Sequence, residues 1–523
     1  MNPLFGVVPW PLAVMAAALL AAVTALLLAS AKAEGPRPRD ALDRFAERFG
    51  AEGWPRLVKW LIAGIWCLIV VTLLCGALFL FSVILFRQFE DGEDAATKLG
   101  ATIFSFTASV AALGAAVAFP FTLVRLHYNR RQVLTAEESL FNEKINAAAT
   151  DLAARRQVTR VIGEGEEQKV LTEWEDDVVT RAAAIDRLEG LVEENHDAGD
   201  RVARLLSIYV RELSRQKDLE PKSHPRQDWW QRVDAGEDPE TVAKDLFENP
   251  EDNTTEALQE WARHLEPIRS DMEKAVQTLG RLQEITERIL PIDLRRANLQ
   301  GFDLGQLDYE MGLFSAARME GTKLNGARLD GAFLNEARMD GATLINARIE
   351  RANLKGARME GAILSGAKME GAFLVEARLE RAFLHEARMD GANLREARMD
   401  WAFLYQANME GADLFGAGIE GADLSLARLK GADLRRVRFD QNTNFIATFI
   451  QYAAIKSTNF GRANLNQEQV NSTFGDGDPS TKLPQGIERP AHWPKDDLAL
   501  HGDFLGAWRE WQRAQGYIPY DER

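Results

Sequence analysis

The ten residues ARMDGATLIN, numbers 337–346, hold the pattern that decides how the C-terminal half of this chain folds. Met339 and Leu344 lie five residues apart, and each follows an alanine two places earlier, Ala337 and Ala342. Read outward, the spacing continues in both directions. From Leu294 to Phe439 every fifth residue is large and apolar or tyrosine, and the residue two before it is usually Ala, as at Ala327, Ala332 and on to Ala432. An α-helix cannot use this pattern, because five residues advance about 500° and the large side chains would wander round the cylinder. A flat strand fails as well, since side chains alternate with period two and an odd repeat sends successive apolar residues to opposite faces. If the backbone turns a corner every five residues, the large residue and its Ala share parity and point inward, while the residue between them points out. Four such sides close a coil of about 20 residues, and about nine coils stacked about 4.8 Å apart make a rod roughly 40 Å long. Beyond Phe439 the frame slips by one residue, to Phe445, Ile450, Ile455, Phe460 and Leu465, which predicts a local bulge.

Some thirty units in one register, about a third of the chain, resemble the pentapeptide-repeat family, whose pattern is A(D/N)LXX. The resemblance implies a right-handed quadrilateral β-helix for residues 292–466. The stretch LNQEQVNSTFGDGDPSTKLPQGIERPAHWP (465–494) is similar to the tail that follows such repeats in bacterial membrane-associated members, so residues 467–523 are expected to form a C-terminal cap with a short helix. Met319, Met339, Met359 and Met399 fall in one 20-residue column and Met369, Met389 and Met409 in the opposite one, which reads as interior packing by an adaptable thioether and not as a metal or haem site.

At 523 residues the chain exceeds one ordinary core. Three stretches, Val7–Ala31, Leu57–Phe86 and Ala101–Val124, are apolar and long enough to cross a bilayer as helices, which satisfy their own backbone in hydrocarbon. The connection from Lys32 to Lys59 is rich in Lys and Arg, the one around Glu90–Asp94 is acidic, and Arg125, Arg130 and Arg131 follow the third stretch. The positive-inside rule then puts the amino terminus outside and everything beyond Arg125 in the cytoplasm. Residues 1–131 are therefore expected to be a three-span region in a bacterial inner membrane, the organism class resting on the family resemblance. A signal peptide cleaved near Ala31-Lys32-Ala33 is the competing reading, and the lack of a basic residue before the apolar run argues against it. Cys67 and Cys75 sit inside the second run and read as small hydrophobes.

Residues 132–291 read as a cytoplasmic helical region. Val178, Val179, Ala182, Ile185, Leu188 and Val192, then Val202, Leu205, Leu206, Tyr209, Val210 and Leu213, recur at helical spacing on either side of NHDAGD (195–200), predicting an antiparallel helix pair. Gln216–Glu240, polar and rich in Pro, Asp and Lys, reads as a linker or excursion with Trp229 and Trp230 as anchors. A block from Glu256 to Leu290, broken near Pro267, is expected to cap the first coil. The fold class is thus multidomain α + β: transmembrane helices, a helical middle region and a β-solenoid.

The net charge of −16 argues against wrapping nucleic acid, which needs Lys and Arg to displace counterions. Some soluble members of the family mimic DNA through an acidic surface and bind type II topoisomerases. Residues 292–466 hold 23 Lys or Arg and 23 Asp or Glu, a neutral rod unlike a polyanion. The pairs Arg338 and Asp340, Arg358 and Glu360, Arg378 and Glu380, and Arg398 and Asp400 are expected to form solvated ladders. Ile363, Phe383 and Phe403 share one outward column with His385, Tyr405 and the corner residue Trp401 nearby, a candidate interaction patch for a protein partner or for self-association. Trp493, Trp508 and Trp511 of the tail are an internal alternative for covering it. Seven histidines are scattered, and no HExxH, Walker loop, CxxC or nucleophile elbow occurs, so no catalysis and no cofactor are expected. The expected function is a scaffold held at the lipid bilayer, with a topoisomerase regulator and a membrane sensor or channel as alternatives; the scarcity of charge within the spans argues against ion handling.

Overall fold

The computed structural model describes residues 56–87, 95–162, 169–216, 219–247, 253–461, 463–498 and 501–523. The predicted span Val7–Ala31 lies outside them. The chain divides into two compact units, Met1–Lys144 and Ile145–Arg523.

The first unit contains α1 (Arg56–Arg87) and most of α2 (Ala95–Asp151). Two windows, Gly64–Leu85 and Leu99–Phe119, are long and apolar enough to cross a membrane. The two helices meet through Trp66, whose Nε1 donates to the Ala116 carbonyl at 2.9 Å, and through the rings of Phe81 and Phe106, 5.8 Å apart. Polar side chains on these helices satisfy themselves: Thr72, Ser105, Thr107 and Ser109 each donate to the carbonyl four residues back.

In the second unit the middle region departs from the all-helical expectation. β1 (Arg155–Ile162) and β2 (Lys169–Asp176) pair antiparallel, Thr159 opposite Thr172. The β-branched residues Val158, Thr159, Val161, Ile162, Val170 and Thr172 favour a pleated ribbon, and across it Arg160 reaches Glu175. The predicted helix pair is present as α3 (Val178–Glu194) and α4 (Gly199–Leu213), joined by a short 3-10 turn. Asp177 caps α3 by accepting from the Thr180 amide at 3.1 Å.

The segment read as a linker instead holds α5 (Pro225–Asp234), followed by α6 (Pro239–Leu246). Pro225 and Pro239 stand at the first turn of each, where the missing N–H costs nothing, and His224 and Asp238 cap them. Then come α7 (Thr255–Arg263) and α8 (Ser270–Thr286), with the expected break between them. α8 packs against α3 and α4. These helices close the first coil of the rod: Ser207 and Ser214 hydroxyls accept from the amides of Asp293 and Asn298, and the buried Tyr309 hydroxyl donates to the Val276 carbonyl at 3.1 Å.

The rod winds as its spacing predicts. Parallel bridges link residues 20 apart, from Asp293 with Leu313 to Gly418 with Arg438, so each coil has four five-residue sides. The Ala and the Leu or Met of these sides are buried on the axis. Each corner is a β-turn, for example Ala337 N–H to the Leu334 carbonyl at 3.0 Å, whose third residue takes positive φ, as Glu336 does at 58°. After Arg438 the bridges step to 21 residues, Asp423 with Asn444 and Arg428 with Phe449. The extra residue lies where the Asp440 carboxylate accepts from the amides of Gly421, Asn442 and Thr443. The coil does not stop at 466: Ala454 bridges Phe474 and Asn459 bridges Lys482, so the first part of the tail, with the short helix α9 (Gln467–Asn471), completes the last turn.

Candidate docking surface on the rod

The four sides differ in what lies over them. Along the side of Arg338, Arg358 and Arg378, the expected solvated ladder is instead covered. Helices α5 and α7 lie across it as a strap, and Glu320, Asp340, Glu360 and Glu380 beneath are at most 3% exposed. Arg226 of α5 pairs with Glu360, while Trp230 Nε1 and the Thr255 hydroxyl donate to the same carboxylate at 2.6 and 3.1 Å. Gln227 donates to Asp340 at 3.0 Å and accepts from Arg338 at 2.6 Å. At the strap's edge the guanidiniums of Arg378 and Arg398 lie 4.4 and 4.8 Å from the Trp230 ring, and both donate to Asp234 at 2.9 Å. Burial holds the Glu320 and Glu380 carboxyls above the ordinary range despite their arginine neighbours. The ladder misled because alternating charge looks the same whether water or a second layer satisfies it.

The corner beside this side explains where the strap ends. Gly321 and Gly341 have positive φ and lie directly against Ala262. One coil past Gly361, which meets Thr255, the column changes to Arg381, paired with Glu256 at 3.2 Å, and then to Trp401, which keeps φ at 61°. The Trp401 indole lies flat over Gly421 and is 49% exposed.

Next to Trp401 the structure brings together the residues singled out in the sequence. Ile363, Phe383 and Phe403 bridge in succession along one side. Phe383 and Phe403 stack at 4.8 Å with 13° between planes, His385 lies 5.9 Å from Phe403 and 6.3 Å from Tyr405. Phe403 and Tyr405 are 38% and 37% exposed. A groove of about 400 Å³ runs between this cluster and α7, lined by Glu256, Arg381, Phe383, Trp401, Phe403 and Asp423.

The described residues of the tail do not cover the cluster. In α10 (His501–Ala514), Phe504 and Trp508 pack on Ala454 and Phe474 at the end of the rod, and Trp508 Nε1 donates to the Tyr452 carbonyl at 2.8 Å. Trp511 stacks on His492 at 5.0 Å, and Trp493 donates to the Thr473 carbonyl. Tyr517 and Tyr520 then lie against Gly431, Gly411 and Gly391, a corner two sides away from Trp401. The tryptophans are used to close the last coil, whose backbone has no following coil to pair with.

Beyond the strap's end, on the same side, Asp400 and Glu420 stand one coil apart. Burial, and then the Asp400 carboxylate beside it, push the Glu420 carboxyl up to about 7, against the attraction of Arg438 at 3.6 Å. A carboxyl raised in the folded state binds its proton more tightly there than in the unfolded chain, so its contribution to stability is full below about 4.5 and is lost as pH rises towards 7. Glu420→Gln is accordingly expected to melt higher than the parent at pH 8 and level with it at pH 4, measured by thermal unfolding of the purified protein.

The family model described as pentapeptide repeats matches in 8 copies, at residues 314–351, 344–381, 374–411, 392–431 and 407–445. The repeat region belongs to the pentapeptide-repeat family. Its fold is accordingly the right-handed β-helix of these repeats. Among solved structures, the pentapeptide-repeat protein HetL, involved in heterocyst differentiation regulation in the cyanobacterium Nostoc, is 24% identical over 36% of this chain and 85% of its own, with a TM-score of 0.29. Trypsin-treated QnrB1, a plasmid-mediated fluoroquinolone resistance protein, is 18% identical over 37% of this chain and 87% of its own, with a TM-score of 0.20. A pentapeptide-repeat protein of the Arabidopsis thaliana thylakoid lumen is 30% identical over 20% of this chain and 70% of its own, with a TM-score of 0.13. No curated protein matches the chain.

Proposed function

We propose that this protein is a membrane-anchored docking scaffold, with its pentapeptide-repeat rod in the cytoplasm of a bacterium and the side bearing Phe383 and Phe403 as the contact surface. The reading rests on one observation above the others: the strap and the described part of the tail lie on other parts of the rod, and among the described residues Trp401, Phe403 and Tyr405 of the aromatic cluster are exposed. Stacked, rigid rings of this kind supply contact area at low entropic cost. The apolar helices α1 and α2, the further apolar run Val7–Ala31 and the distribution of Lys and Arg support a multi-pass anchor. No catalytic step is assigned to it. A DNA-like role at a topoisomerase is less well supported, because the carboxylates that could imitate phosphates, Glu320 to Glu380, are beneath the strap.

A photo-crosslinking amino acid in place of Phe403 in the full-length protein, activated in cells, is expected to trap one discrete partner band, which the same group in place of Arg428, on another side of the rod, does not trap. Identical patterns from the two positions, or no adduct at full incorporation, overturn the assignment.

A further inference from the structure

We propose that the groove beside Trp401 binds the guanidinium or ammonium group of a basic side chain on the partner protein, with an apolar neighbour of that residue lying on Phe383 and Phe403. This deepens the docking reading and rests on it. The groove combines two features that select a cation. One is the half-exposed indole of Trp401 and the ring of Phe403, whose π faces are electron-rich. The other is charge: Glu256 and Asp423 line it with Arg381, one negative charge in excess. Arg381 is already engaged by Glu256. Asp423 follows Phe403 in the same column and is fixed in place, its Oδ1 accepting from the Ser425 amide at 3.1 Å and from Asn444 Nδ2 at 3.0 Å.

A neutral alkyl group placed in the groove would strip water from the Asp423 carboxylate and return no donor, whereas an anion would meet both that carboxylate and the negative ring faces. A guanidinium satisfies both. The chain displays the same recognition internally: a tryptophan face and a carboxylate, Trp230 and Asp234, together hold Arg378 and Arg398. Trp401 with Asp423 repeats that pairing of groups on an open surface, and among the described residues no arginine lies over the Trp401 ring.

The test uses the full-length protein in detergent, labelled with 5-fluorotryptophan, the Trp401 fluorine signal being identified by its loss in Trp401→Phe. N-acetyl-arginine amide is expected to shift that signal saturably. Its uncharged isostere N-acetyl-citrulline amide should leave the signal in place, and Asp423→Asn should weaken the arginine response by at least about threefold, as loss of the carboxylate's attraction requires. No saturable shift, or an equal response to citrulline, overturns the proposal. Tighter binding of tetramethylammonium than of the arginine probe overturns it too, in favour of a quaternary ammonium headgroup. Because the crosslink at Phe403 needs no cation, a trapped partner with no arginine response removes this proposal and leaves the scaffold reading standing.

Discussion

Replacing Arg226 with alanine is expected to release the strap from the rod while the rod itself stays wound. The guanidinium lies between the Glu360 carboxylate, the backbone and side chain of Asn253 and the Thr255 hydroxyl, with the Trp229 and Trp230 rings 5.6 and 5.7 Å away. Its side chain is 10% exposed and that of Glu360 only 2%. Truncating it leaves a carboxylate in a dry layer with two neutral donors and no cation opposite. Breaking a buried pair in this way costs about 3–5 kcal/mol, far more than the about 0–1 kcal/mol of an exposed ladder. The strap has an alternative that the rod lacks: it can lift, and water can then solvate Glu360. The measurable result is amide hydrogen exchange over residues 225–263 accelerated about a hundredfold or more, with the rod's inter-coil amides still protected. Arg226→Met combined with Glu360→Leu removes both charges and should restore most of the protection, since an apolar pair of similar volume replaces a buried ion pair at little cost. Unchanged exchange in Arg226→Ala would mean that the strap's other contacts, among them Gln227 with Asp340 and Arg338 and Asp234 with Arg378 and Arg398, hold it without this pair.

That strap marks the boundary of what could be read from the residues. The coil was legible because its period is incommensurate with both helix and strand, so spacing alone left one backbone path, and even the slip after Phe439 was visible as a displaced Phe445. The aromatic cluster was legible for the same reason: once the period is 20, Ile363, Phe383 and Phe403 must share a column. What covers a side is a different kind of fact. Arg338 and Asp340 look the same in sequence whether they face water or Gln227, and nothing local to them specifies a partner 111 residues away. One signal was available and pointed the other way. Pro225 and Pro239 suggested a broken linker, yet each follows a capping residue, which is the arrangement of a helix start. A second signal lies in the corner column, where Gly321, Gly341 and Gly361 give way to Arg381 and Trp401: small residues persist as long as a second layer needs the space.

That column supplies a sharper test of how the strap is seated, a comparison of Gly321→Ala with Gly356→Ala. Both glycines sit at a corner with nearly the same positive φ, 66° and 63°, so a side chain at either carries the same left-handed backbone cost, about 1–2 kcal/mol. Their surroundings differ. A methyl group at 356 meets nothing closer than Glu336 Cγ at 3.8 Å, an ordinary van der Waals contact, whereas at 321 it would stand 2.1 Å from the Ala262 carbonyl oxygen of α7. Backbone cannot yield there without moving the helix, so Gly321→Ala adds overpacking of about 1–3 kcal/mol to the shared conformational cost. Gly356→Ala is expected to lower the unfolding free energy slightly and leave exchange in residues 255–263 unchanged. Gly321→Ala should destabilise more strongly and should also expose those amides, because the cheapest relief is for α7 to rise off the corner. Equal effects at the two positions would mean that α7 does not approach the corner closely in solution, and the strap would then be held by its buried charges and not by backbone contact.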